Sequence, residues 1–196
     1  MGSKTPPNMK RICLALAILC SAQVWAVAQD EAAMQKAWME YATPSSMQKM
    51  LAMADGNWKT DITFWMAPNT PPSTQVGACT NKMILGGRYQ ESRHTGDMGG
   101  QPFEGIGIMG YDNARKIFFS TWIDNMSTGV MYLEGKHDDG SRSITMTGKT
   151  TDPMTGKEMS VREVLKWVDD NNQVMEMYIM QNGTEFKNME IKLTRQ

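Results

Sequence analysis

From Trp58 to the end of the chain, apolar and polar residues alternate with a period of two, and turn-forming residues interrupt the alternation roughly every ten positions. The interruptions fall at Pro71-Pro72, Gly86-Gly87, Gly99-Gly100, Asp112-Asn113, Asp124-Asn125, Asp138-Asp139-Gly140, Pro153 to Gly156, Asp169 to Asn172 and Asn182-Gly183. Nine breaks separate ten strands. No helical period lies between them, and connections this short can only join antiparallel neighbours. An open ten-strand meander would expose two unpaired edges, so the pattern predicts an up-and-down β-barrel closed on itself, lipocalin-like in form.

Ahead of the strands the period is helical. Residues from about Asp30 to Tyr41 carry Ala33, Ala37 and Trp38 among good helix formers, and Thr43-Pro44 ends that segment. A second helix is predicted with Ser45 or Ser46 as its cap. Its apolar stripe is Met47, Met50, Leu51 and Ala54, flanked by Met53, and Asp55-Gly56 stops it. These helices, within residues 29–55, are placed beside or across the mouth of a barrel built from residues 56–196.

Lys10 and Arg11 precede the apolar run from Ile12 to Cys20, and a small-x-small site follows at Ala26-Val27-Ala28. This is the form of a secretory signal peptide, too short to span a bilayer comfortably. Met9 fits as its initiator. Cleavage after Ala28 predicts a secreted or periplasmic mature chain without a membrane span. A lipid anchor at Cys20 is disfavoured by the bulky Leu19 before it.

Removing residues 1–28 leaves 168 residues with 17 Lys and Arg against 21 Asp and Glu, a net charge of −4. No basic cluster supplies the field that a nucleic acid or an anionic membrane needs. Of three cysteines only Cys79 survives cleavage, so no intramolecular disulfide forms; it reads as a buried strand residue, with neither histidine near it in sequence.

Gly56-x-Trp58 on the first strand and Arg195 on the last would let a guanidinium stack on an indole where the barrel closes. This pairing resembles the calycin signature. The ordered series Gly56-x-Trp58, Gly86-Gly87-Arg88-Tyr89, Pro102-Phe103-Glu104-Gly105, Gly110-Tyr111-Asp112-Asn113, Trp122-Ile123-Asp124 and Asp152-Pro153-Met154-Thr155-Gly156-Lys157 resembles the bacterial family called domain of unknown function 1579, over about Ser46 to Arg195. The resemblance implies a lipocalin-like barrel, frequent in secreted or periplasmic proteins, with no established activity or catalytic residues. Nitrobindin-type barrels, which hold haem, are a fold-level analogy.

The strand 117–124 has Phe118, Ser120, Trp122 and Asp124 on one face and Ile117, Phe119, Thr121 and Ile123 on the other; the first is assigned to the lumen. The interior is expected to be rich in Trp65, Tyr89, Phe103, Trp122, Tyr132 and Trp167. Arg88, Glu91, Glu104, Arg162 and Glu163 fall in strand-like segments, where a charge faces water or is paired inside, with contact to a ligand as the alternative for each.

Three chemistries compete with simple binding. Glu104, Asp112 and Asp124 with Arg88 and Tyr111 would supply acid, base and anion clamp if they met in one pocket, though no G-x-S-x-G, H-E-x-x-H or C-x-x-C motif is present. Met47, Met50 and Met53 have thioether spacing suited to Cu(I), but also that of a core-packing stripe. His94, in a glycine-rich stretch, and His137, beside Asp138-Asp139-Gly140, read as exposed turn histidines and not as haem ligands. The preferred reading is a binding module for a small hydrophobic or amphipathic molecule, with Arg88, Tyr89, Phe103, Glu104, Tyr111, Trp122, Asp124, Tyr132 and Trp167 as candidate contacts. A barrel filled by its own side chains is the alternative. The pattern names neither the ligand, nor a cofactor, nor the oligomeric state.

Overall fold

The computed structural model describes residues 29–181 and 183–196; the expected leader, residues 1–28, and Asn182 of the last predicted break lie outside the described residues. Residues 29–42 form helix α1, in which the rings of Trp38 and Tyr41 meet edge-on at 5.9 Å. This helix belongs to one compact unit ending at Thr43, and Pro44–Gln196 form another.

In the second unit, helix α2 spans Ser46–Ala52. Its N-terminus is built as the serine predicts. Ser45 Oγ accepts from Met47 N at 3.2 Å, and Gln48 Oε1 accepts from Ser45 N at 2.7 Å, a reciprocal cap that satisfies otherwise orphaned donors. No helix among the described residues is long and apolar enough to cross a membrane.

Ten antiparallel strands follow: β1 Gly56–Phe64, β2 Ser73–Ile84, β3 Tyr89–Met98, β4 Gln101–Asp112, β5 Ile117–Asp124, β6 Met131–Asp138, β7 Ser143–Thr151, β8 Glu158–Trp167, β9 Asn172–Gln181 and β10 Thr184–Arg195. Each pairs with its chain neighbour, and β1 pairs with β10, so the sheet is a closed barrel. Every predicted break lies at or beside a strand junction.

Closure places Trp58 opposite Arg195. The guanidinium lies 4.3 Å from the indole centroid and donates to Asp55 O and Met53 O, each at 2.7 Å, and to Asp170 O at 3.1 Å. One side chain therefore ties the barrel seam to the carbonyls just beyond α2. Arg195→Ala is expected to lower the unfolding free energy by about 2 kcal/mol, from charge-assisted hydrogen bonds and the cation–π contact. Arg195→Lys should recover only part of it, since a compact ammonium lacks the planar fork whose three separate nitrogens reach the carbonyls while the group stacks on the indole. Urea denaturation checks this, and an unchanged midpoint in Arg195→Ala would refute the seam's role.

The helix plugs one end. Leu51 is fully buried with Phe118, Leu133, Ile144, Met146, Val161 and Trp167, and Met47 and Met50 pack against the same group. Gln48 Nε2 donates to Tyr111 O at 2.9 Å and Gln90 Nε2 to Leu51 O at 2.6 Å, which fix α2 to β4 and β3. The core thus concentrates at this floor, and the opposite half of the barrel is not filled by side chains.

Candidate functional site

Above the floor lies a cavity of about 900 Å³. Its wall is set by strand alternation: Ser120, Trp122 and Asp124 of β5 face it, as assigned, whereas Ile123 between them is 46% exposed on the outside. The wall is methionine-rich and mixes aliphatic with polar side chains, with Met109, Met131, Met175 and Met177 among eight methionines that line it. Thioether chains adapt to ligands of irregular shape.

Near the rim, Trp122 organises an aromatic shelf. It stacks on Phe103 at 6.4 Å, donates from Nε1 to Asp124 Oδ2 at 2.8 Å and presents its face edge-on to His94 at 5.2 Å. Gly105 makes room for it: a Cβ there would stand 2.3 Å from the indole. Asp124 is held in turn by Met126 N at 3.0 Å.

Phe103, Trp122 and Asp124 are therefore brought together in the lumen, and the other six candidates are not. Arg88 is exposed in the β2–β3 turn, its guanidinium donating to Leu85 O at 3.1 Å. Glu104 alternates with Phe103 and lies exposed on the outer face. Tyr89 alternates with inward Gln90 and packs on Phe119 outside, with centroids 6.1 Å apart. Tyr132 falls between inward Met131 and Leu133, is 44% exposed and donates from its hydroxyl to Glu134 at 2.6 Å. Tyr111 and Trp167 do point inward, but into the packed floor beneath the cavity. Trp65, just past β1, lies 5.4 Å from the Lys187 ammonium and is no part of the cavity wall.

The proposed acid, base and clamp are likewise dispersed. Asp112 ends β4 at the floor, where its carboxylate caps the turn by accepting from Ala114 N and Arg115 N, both at 2.9 Å. The methionine triplet is split, because Met47 and Met50 pack the core while Met53 is exposed.

Both histidine expectations are corrected. His94 is a β3 residue facing the lumen, with Nε2 3.3 Å from Cys79 Sγ. That nitrogen is engaged by the thiol and is not presented to the open cavity as a haem ligand would be. His137 is a largely covered β6 residue at the floor, its Nδ1 3.0 Å from Asp139. Cys79 is buried as expected, and its thiol also reaches Asn81 Oδ1 at 3.1 Å. Burial pushes the thiol up to about 12 and the His94 imidazole down to about 4, so both are neutral at pH 7. That is the reverse of the thiolate–imidazolium pair of a cysteine nucleophile. The contact was legible in one respect: Cys79 and His94 are equidistant from Gly86-Gly87, so a symmetric hairpin pairs them.

Of the five charges in strand-like segments, Glu163 is the one that lines the cavity among the described residues. On β8 it alternates with Arg162, which faces outward, lies 3.8 Å from the Tyr178 ring and pairs with Glu185 at 2.6 Å. Glu163 instead faces the cavity without any partner among the described residues. Desolvation raises its carboxyl from the ordinary 4.5 to about 7.

Residues 43–195 match a family described as "Protein of unknown function (DUF1579)". The chain belongs to this family. Its barrel is also similar to the crystal structure of Rv2717c from M. tuberculosis, with a TM-score of 0.57 and 12% identity over 79% of this chain and 99% of that one, a likeness of fold alone. No curated protein matches this DUF1579 chain.

Proposed function

We propose that this DUF1579 barrel binds a small hydrophobic or amphipathic molecule in its lumen. The observation that carries the reading is the cavity itself: about 900 Å³ of methionine-rich space above a floor packed by α2, its wall mixing apolar side chains with polar ones such as Thr60, Ser92, Thr150 and Glu163 from around the ring of strands. Binding sites for small organic molecules have this size and composition. A barrel that served only as a scaffold would fill such a volume with its own side chains, because an empty apolar lumen forfeits dispersion contacts. The segment from Lys10 to Ala28 supports placing this binder outside the cytoplasm, secreted or periplasmic.

Trp122 supplies the largest flat apolar surface of the wall. Trp122→Ala is expected to weaken binding of the neutral apolar fluorophore N-phenyl-1-naphthylamine about tenfold, or 1.4 kcal/mol, with the Lys149→Ala surface variant unchanged. Native mass spectrometry of protein purified without refolding should show a bound organic species. Equal affinity in both variants, or a protein that takes up no apolar probe, would refute the reading.

A further inference from the structure

The charges that line the cavity are of one sign. Asp97, Asp124 and Glu163 belong to its wall, and among the described residues no lysine or arginine does. His94 adds no positive charge at neutral pH, because burial keeps it unprotonated. Two of the three acids are already engaged: Asp124 accepts from Trp122 and Met126, and Asp97 accepts from Gly100 N at 2.6 Å in the rim turn.

Glu163 stands apart from these two. It lies in the middle of β8, with Met146 of β7 and Met177 of β9 as its cross-strand neighbours and Val161 and Leu165 beside it on its own face. All four are apolar. In the ring of strands β8 is opposite β3, which brings His94 and Asp97 to the wall; adjoining β2 brings Cys79 and β5 brings Asp124, and with His94 and Cys79 neutral none of these groups is a cation. A carboxyl in such a wall has its desolvation offset by no protein donor or cation. A bound cation would offset it. A bound carboxylate would add a second unpaired negative charge to the same apolar space.

We propose, resting on the binding reading above, that the lumen selects a cationic amphiphile: a long-chain amine whose ammonium pairs with Glu163 and whose hydrocarbon body lies among the lining methionines. The same arrangement disfavours fatty-acid anions of equal length. Because an alkylammonium keeps its proton throughout the range, its affinity follows ionisation of Glu163. With that carboxyl at about 7, amine binding tightens by about tenfold between pH 6 and pH 8.

The test is displacement of N-phenyl-1-naphthylamine by dodecylamine, dodecanol and laurate, each kept below its micelle concentration or, for dodecanol, its solubility limit. At pH 8 dodecylamine is expected to bind at least tenfold more tightly than laurate. Glu163→Gln should abolish the amine's advantage and its pH dependence while leaving dodecanol unchanged. If dodecanol and laurate bind as tightly as the amine, or the preference survives in Glu163→Gln, the charge selection is wrong and the apolar cavity reading stands. If the barrel binds neither the fluorophore nor any of the three, both readings fall together.

Discussion

Replacing Gly135 by alanine is expected to destabilise the barrel by about 3 kcal/mol or more, and to lower its urea midpoint by roughly 1.5 M at a slope near 2 kcal/mol per molar. Gly135 lies on β6 between Phe118 of β5 and Met146 of β7. A Cβ there would stand 1.8 Å from Thr145 O and 2.6 Å from Met146 Cα, both backbone atoms. A flexible side chain can turn away from such an intruder; a strand held on both sides by its ladder can only be pushed out of register. Gly148 repeats the device from the other strand, its missing Cβ leaving room for Tyr132 O, which would be 2.2 Å away. The close β6–β7 approach thus brings Leu133 and Met146 into the fully buried floor core. Gly140→Ala, in the exposed β6–β7 turn, is the control: its nearest new contact is 3.4 Å from the Asp138 carboxylate, an ordinary distance. Equal urea midpoints for the two alanine variants would refute the argument.

The barrel was legible because its signals are local and repeated. Pro, Gly, Asn and Asp mark the junctions, and Ser45 caps α2 through atoms at most three residues away. Closure was legible through a complementary pair at the two ends, Trp58 and Arg195, whose contact needs only that the first and last strands meet. The site was read less well, for reasons particular to each residue. Phe103 of β4 and Trp122 and Asp124 of β5 face the lumen because both strands alternate cleanly and Gly105 leaves room for the indole. Glu104 and Tyr132 each lie one position from a lumen residue, and a single step along a strand reverses the face. His94 was misread because Gly96, Gly99 and Gly100 follow closely, yet only the last pair makes the turn; Gly96 pairs with Phe103 inside the ladder. Glu163 reads as wet or paired ahead of ligand contact, because those are the two states in which a carboxylate is inexpensive. It is unpaired and lines the cavity, and only the regular alternation with outward Arg162 carries that information.

His94 and Glu163 titrate in opposite senses, and their separation is the second large effect. The Glu163 carboxyl is raised from 4.5 to about 7, so the folded state holds this proton more tightly than the unfolded chain. Its favourable contribution is complete below pH 4.5 and is lost as pH rises through 7, a change of about 3 kcal/mol. The His94 imidazole is lowered from 6.5 to about 4, so here the unfolded chain binds the proton more tightly. Its contribution is complete above pH 6.5 and is lost as pH falls through 4, again by about 3 kcal/mol. In the parent protein the two slopes oppose each other and nearly cancel between pH 4.5 and 6.5. Single variants uncover them. Relative to the parent, Glu163→Gln should gain about 3 kcal/mol as pH is raised from 4.5 to 7, and His94→Gln should gain a similar amount as pH is lowered from 6.5 to 4. Taking differences from the parent removes the surface carboxylates, such as Asp152 with its pKa lowered by the Thr155 hydroxyl, because all three proteins share them. Unfolding free energies from urea titrations at half-unit pH steps decide the matter: curves for both variants that run parallel to the parent would show that neither group is shielded from water in the lumen wall, whereas slopes of opposite sign would place one buried acid and one buried base across the same cavity.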